Sequence, residues 1–249
     1  MGRVQYFEDM PNDFARRYNG TSQYDWLANP ANMGDTVGAV SFWFYVPVLL
    51  TGNGNYPVYT IGDAGAKVGA FGRYILISVR RNTAYGDTNN YLDVSYVTGT
   101  SVYSKSNATA ISAAGWYHGV VTSNAEIYVN AVTPSYTAKW STYNWVGGQW
   151  FGTVGGTNKD LALGAARVAG AITSYGRLDL NEVIYLNAVP TSTEVGLLYN
   201  GGTPPDPASL PGTLQSKISV YRGFENTLVP VIGSGTLTPI GSPSYIAFP

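Results

Sequence analysis

Short runs rich in Val, Tyr, Thr, Ile and Phe, each about one strand long and separated by turn residues, recur along almost the whole chain. A strand points alternate side chains to opposite faces, so runs of this kind bury sheet against sheet. The strongest is Val40-Ser41-Phe42-Trp43-Phe44-Tyr45-Val46, with Val40, Phe42, Phe44 and Val46 on one side and Ser41, Trp43 and Tyr45 on the other. Large side chains on both faces place it in the middle of a sheet. Further strands are expected at Tyr56–Ile61, Gly72–Arg80, Tyr91–Val97, Val102–Lys105, Trp116–Thr122, Glu126–Asn130, Leu161–Ala165, Leu178–Leu186 and Ile218–Phe224. The Trp116 and Glu126 runs are joined tightly enough to form a hairpin. The 30 Gly and 14 Pro supply the turns, and the 20 Tyr suit half-buried pleated surfaces.

One segment breaks the pattern. Thr191 followed by Glu194 is a capping box, Val195 and Leu198 give an apolar stripe, and Asn200-Gly201 is a stop, so one short helix is expected near 191–200. The fold class is therefore all-β, an antiparallel two-sheet sandwich with that single helix. Residues 1–17 are expected to be an N-terminal arm and 18–249 a single domain, because too little chain follows the Pro-rich stretch 203–207 to form a second core.

Composition narrows the function classes. Net charge is −1 and no basic run exceeds the pairs Arg16-Arg17 and Arg80-Arg81, which argues against a nucleic-acid partner. Cysteine is absent, which removes disulfides and thiolate chemistry. No apolar run approaches a membrane helix, so no membrane partner is expected. The first ten residues lack the features of a signal peptide, giving an expectation of synthesis in a cytoplasm, from which the chain could still leave the cell as part of a virion.

Four phrases carry a family likeness: Tyr18-Asn19-Gly20-Thr21-Ser22-Gln23-Tyr24; Ser41-Phe42-Trp43-Phe44-Tyr45-Val46-Pro47; Trp116-Tyr117-His118 through Thr122 to Ile127-Tyr128-Val129-Asn130; and Gly176 through Asn187 with Thr191 to Tyr199. In this order they resemble the concanavalin A-like (laminin-G-like) jelly-roll domains. Ala131 stands where that family usually has Gly. The resemblance implies the jelly-roll fold and admits lectins, adhesion modules, some glycosidases and bacteriophage structural proteins.

With so few charges and no cysteine, the chain looks most like the last group. The expected function is a non-enzymatic capsid decoration (cement) protein of a phage, forming a homo-oligomer and contacting the major capsid protein. The alternative is a carbohydrate-binding, lectin-like domain that takes host glycans. Phe7, Phe14, Arg16 and Arg17 are the candidate docking arm. Trp140, Tyr143, Trp145 and Trp150, in the aromatic-rich stretch 136–151, are the candidate carbohydrate or partner contacts. That stretch reads as a hydrophobic lid first, then as an interface anchor or a sugar platform.

Catalysis finds little footing. His118 is the only histidine and sits within a strand, so it reads as structural. Asp179 and Glu182 are the one close carboxylate pair on a strand, and their odd spacing predicts opposite faces. No catalytic residue, cofactor or metal is assigned. A calcium ion would have to draw on loop residues such as Asp63, Asp87, Asn89 and Asn90, which form no recognisable ligand loop.

Overall fold

The computed structural model describes residues 14–65, 72–137, 143–225 and 227–247. In chain order the first strands are β1 (Phe14–Asn19), β2 (Tyr24–Ala28), β3 (Ala39–Val46), β4 (Gly54–Asp63), β5 (Arg73–Arg81), β6 (Asn90–Thr98), β7 (Val102–Ile111), β8 (Gly115–Thr122) and β9 (Ile127–Val129). There follow β10 (Tyr136–Thr137), β11 (Tyr143–Asn144), β12 (Lys159–Leu163), β13 (Ala165–Val168), β14 (Ala171–Tyr175) and β15 (Arg177–Leu186). Helices α1 (Ser192–Tyr199) and α2 (Gly212–Gln215) precede β16 (Ile218–Arg222), β17 (Thr238–Ile240) and β18 (Ser244–Ala247).

Two sheets form the sandwich. The first runs β18-β1-β15-β3-β8-β9, with β16 also pairing β15. The second runs β10-β7-β6-β5-β4-β12-β2-β17, with the short β11 beside β7. The β13–β14 hairpin lies apart from both ladders, and Thr60 of β4 donates to its Ala165 carbonyl at 2.8 Å. The expected all-β class, the central place of β3 and the β8–β9 hairpin are all present.

The alternation in β3 sets the layers. Val40, Phe42, Phe44 and Val46 enter the core between the sheets, where they meet Ile75, Ile77, Leu92, Val94, Leu178 and Leu180. Each such side chain contributes roughly 1.5–3 kcal/mol by leaving water. The opposite face of the first sheet carries Ala39, Val120, Ile184 and Leu186, and α1 lays Val195 and Leu198 across them. Thr191 caps that helix: its hydroxyl accepts from the Glu194 N–H at 3.2 Å, and the Glu194 carboxylate accepts from the Thr191 N–H at 2.7 Å.

Two expectations are corrected. Residues 14–17 belong to no free arm, because β1 pairs β15 on one side and β18 on the other, with Phe14 opposite Ala247. Asp179 and Glu182 do not lie on opposite faces. A bulge in β15 between Asn181 and Ile184, with Glu182 at φ 49°, inserts one residue and resets the alternation. Leu178, Leu180, Val183 and Tyr185 therefore all face the core, while Asp179 and Glu182 both reach the outer face.

Candidate functional site: a groove on the outer face of the first sheet

Helix α1 covers only part of the outer face. At one level across the sheet stand Asn181, Trp43 and His118, paired strand to strand and all buried. Tyr199 at the end of α1 closes over them, its ring 5.9 Å from Trp43 and 6.0 Å from His118. His118 Nε2 lies 2.8 Å from Ser41 Oγ, and burial alone lowers its pKa to about 3. An imidazole held neutral and sealed in this way is structural, as its place in a strand predicts.

Two residues further along each strand the cover ends. Tyr45 follows Trp43, Trp116 precedes His118, and Asp179 precedes Asn181, forming the register row Asp179–Tyr45–Trp116. The Tyr45 and Trp116 rings sit 5.5 Å apart at 47°, and both side chains are half-buried. From β1, Arg17 lies directly opposite Asp179 and grips it with both ends of the guanidinium, Nε at 2.8 Å and Nη2 at 2.9 Å. That hydrogen bond raises the Arg17 pKa, outweighing the cost of burial.

The ion pair divides a groove into two connected parts. One, of about 260 Å³, is bounded by Tyr45, Trp116, Ile246 and the ion pair. The other, of about 400 Å³, is bounded by the ion pair, Asn19, Gln23, Pro47 and Arg177. Arg177 is exposed, and among the described residues its guanidinium has no hydrogen-bond or ion-pair partner. Arg17, Arg177 and Asp179 together leave the groove with one net positive charge. The turn beside it is rigid: the Asn19 side-chain carbonyl accepts from the Thr21 and Ser22 N–H groups at 2.9 and 3.0 Å. Gly20 sits there at φ +79°, where a Cβ would lie 2.8 Å from Cβ of Arg177.

Chemically, this groove offers aromatic faces for the apolar side of a ring, a fixed carboxylate–guanidinium pair for hydroxyls and a free guanidinium for an anion. A hydrolytic carboxylate pair is not on offer. Asp179 is engaged by Arg17, and Glu182 is sealed against Tyr221, whose hydroxyl donates to it at 2.6 Å. Burial pushes the Glu182 pKa well up, ahead of the lowering by that hydrogen bond.

The aromatic stretch singled out in the sequence lies elsewhere. Trp145 and Trp150 are buried at 1% and 0% exposure and cannot meet a surface ligand, so their assignment as contacts is corrected. Trp150 stacks on Phe151 at 4.4 Å, Phe151 on Tyr59 at 5.6 Å and on Tyr185 at 5.5 Å, a hydrophobic plug that matches the lid reading. Trp140 lies outside the described residues, as do Phe7 and the side chain of Tyr143. Arg16 is buried and paired bidentately with Asp25 at 2.8 and 2.9 Å, so it has no role in docking. Phe14 is half-buried at the start of β1. Of the loop residues considered for calcium, Asp63 accepts from the Gly65 N–H, Asp87 from the Asn82 N–H, and Asn90 from the Leu50 N–H that it faces. Among the described residues no group of three or more metal-ligating side chains converges.

The groove residues were visible separately but not as a set. Tyr45 and Trp116 stood within noticed phrases, Arg17 in a basic pair and Asp179 in a carboxylate pair. Only the β1–β15, β3–β15 and β3–β8 registers bring them together.

No family model matches the sequence, and no curated protein matches it. Solved structures do. The CBM40 of the Ruminococcus gnavus IT-sialidase, bound to α2,3-sialyllactose, matches with a TM-score of 0.53 at 10% identity, over 74% of this chain and 96% of that one. A native heptameric SAP-like pentraxin from Limulus polyphemus matches with a TM-score of 0.53 at 14% identity, over 95% of this chain and 94% of that one. At these identities the likeness shows the fold: a jelly-roll β-sandwich of the lectin type.

Proposed function

We propose that the chain is a non-catalytic, glycan-binding β-sandwich whose site is the groove on the outer face of the first sheet. The observation that carries this reading is the alignment of Tyr45 and Trp116, the Arg17–Asp179 ion pair and the unpaired Arg177 along one groove. An aromatic pair beside fixed polar groups suits a sugar ring, and the net positive charge favours an acidic sugar. The sialyllactose held by the CBM40 neighbour supplies the probe.

Isothermal titration with 3′-sialyllactose and lactose tests the reading. Sialyllactose is expected to bind at least tenfold more tightly than lactose, and Trp116→Ala to abolish binding of both. Failure to bind any acidic or neutral glycan, or binding untouched by Trp116→Ala, overturns it. The capsid-decoration reading draws no support from the neighbours described. Arg16 and Arg17, two of its docking residues, are spent on ion pairs within the chain.

A further inference from the structure

Two buried arginines in this molecule are treated very differently. Arg16 has its charge met by both oxygens of Asp25, which also accepts from the Tyr18 hydroxyl at 2.9 Å. Arg222 of β16 is equally buried, at 4% exposure, yet no carboxylate of the described residues pairs with it. Its contacts are two neutral carbonyls, those of Leu228 at 3.2 Å and Gly235 at 2.8 Å. Among the described residues, five N–H donors and a full charge are thus met by two hydrogen bonds, and burial lowers the pKa of the group.

Beside this guanidinium is a pit of about 20 Å³ with largely apolar walls, whose polar members are Asn32, Tyr59, Tyr185, Arg222 and Ser234. That is room for one small body. Burial raises the Tyr59 pKa against a smaller lowering by the Asn32 side chain, so its hydroxyl keeps its proton. Two carboxylates stand near: Asp25, whose charge reaches Arg222 but whose oxygens are gripped by Arg16, and Asp35, at the wider mouth of about 130 Å³, where it accepts from the Tyr185 hydroxyl at 2.9 Å. The wall holding Arg222 is tightly fitted. Gly233 sits at φ +88° with a would-be Cβ 2.5 Å from the Ser219 carbonyl, and Gly235 at φ +90° packs as closely on Leu27.

We propose that this pit is a binding site for a small monovalent anion of halide size, held by Arg222 with the hydroxyls of Tyr59 and Ser234 and reached through the mouth beside Asp35. The anion supplies the second negative charge that two buried arginines sharing the field of Asp25 lack, since both Asp25 oxygens are taken by Arg16. The site is separate from the outer-face groove and stands or falls without it.

Thermal unfolding of the full chain at constant ionic strength, with sodium chloride replacing sodium gluconate, reads the site directly. A rise in Tm of about 3 °C is expected at ten times the chloride Kd, growing with the logarithm of the chloride concentration beyond it. Ser234→Trp, a change at the exposed mouth, is expected to remove that rise while leaving the Tm in gluconate unaltered. Arg222→Met is expected to remove it too, whatever its own stability. In crystals grown with sodium bromide, an anomalous peak is expected within hydrogen-bond reach of the Arg222 guanidinium. A Tm that ignores chloride, or a pit without bromide, overturns the proposal.

Discussion

The outer face of the first sheet has two halves built by the same three strands. On one, β3, β8 and β15 present Trp43, His118 and Asn181 beneath Tyr199 and α1. On the other they present Tyr45, Trp116 and Asp179, which no helix covers. Both halves combine aromatic rings with polar groups, so composition does not separate them. Cover does. A polar group under cover must be neutral or matched, and His118 and Glu182 both shift toward their neutral forms. In the open half the charges persist, tied in the Arg17–Asp179 pair or left to solvent as in Arg177.

The largest effect that separates the halves is a truncation under the helix. Trp43→Ala removes a ring at 2% exposure that stacks on Tyr199 and is expected to cost about 3–5 kcal/mol, or roughly 10 °C in Tm. A loss below about 1 kcal/mol by urea unfolding would mean that the covered half is not a packed core.

The next effect is one of pH. His118 folds with its pKa lowered from 6.5 to about 3, so its contribution is fully present above 6.5 and is lost as the pH falls toward 3. The stability advantage of the wild type over His118→Gln should narrow by up to about 1.4 kcal/mol per pH unit across that window. Glu182 has the opposite sign. Its folded pKa is raised, so stability present below about 4.5 is lost as the pH rises above that value. Glu182→Gln, which can still accept from Tyr221, should gain on the wild type at neutral pH. Urea midpoints between pH 4 and 8 check both, and parallel pH profiles for wild type and variants would remove the claim that cover sets these protonation states.

Much of the covered half could be read from the chain, because it rests on local rules. The capping box at Thr191 and Glu194 announced α1, and the alternation in β3 announced two buried faces. The open half could not, since it depends on register between distant strands. Arg17 and Asp179 are 162 residues apart in sequence, and nothing local tells either that the other is opposite. The bulge at Glu182 was equally hidden, as one inserted residue reverses every parity argument beyond it. Trp145 and Trp150 misled for a related reason. A plug at the end of a sandwich is aperiodic, and from sequence it reads like an exposed aromatic loop.

Within the open half, Arg17→Leu tests the ion pair. It strands the Asp179 carboxylate, which is 3% exposed, but Arg17 itself is 48% exposed and partly screened, so a cost of about 1 kcal/mol is expected. A neutral result would show that water takes over the carboxylate without penalty.

The smallest effect on stability should accompany one of the largest effects on binding. Arg177 lines the groove, is exposed and has no side-chain partner among the described residues, so Arg177→Ala is expected to change unfolding free energy by no more than about 0.5 kcal/mol. The same change removes half of the positive charge in the groove and its only uncommitted guanidinium. Affinity for 3′-sialyllactose should fall about tenfold or more, and affinity for lactose much less, because lactose carries no acid for Arg177 to meet. Equal losses for both sugars would assign Arg177 to shape rather than charge. An unchanged affinity for sialyllactose would move the acidic end of the ligand out of this groove and leave Tyr45 and Trp116 as a platform for neutral rings. Either way the covered half should not respond, because the cover keeps Trp43 and His118 from sensing what occupies the adjoining groove.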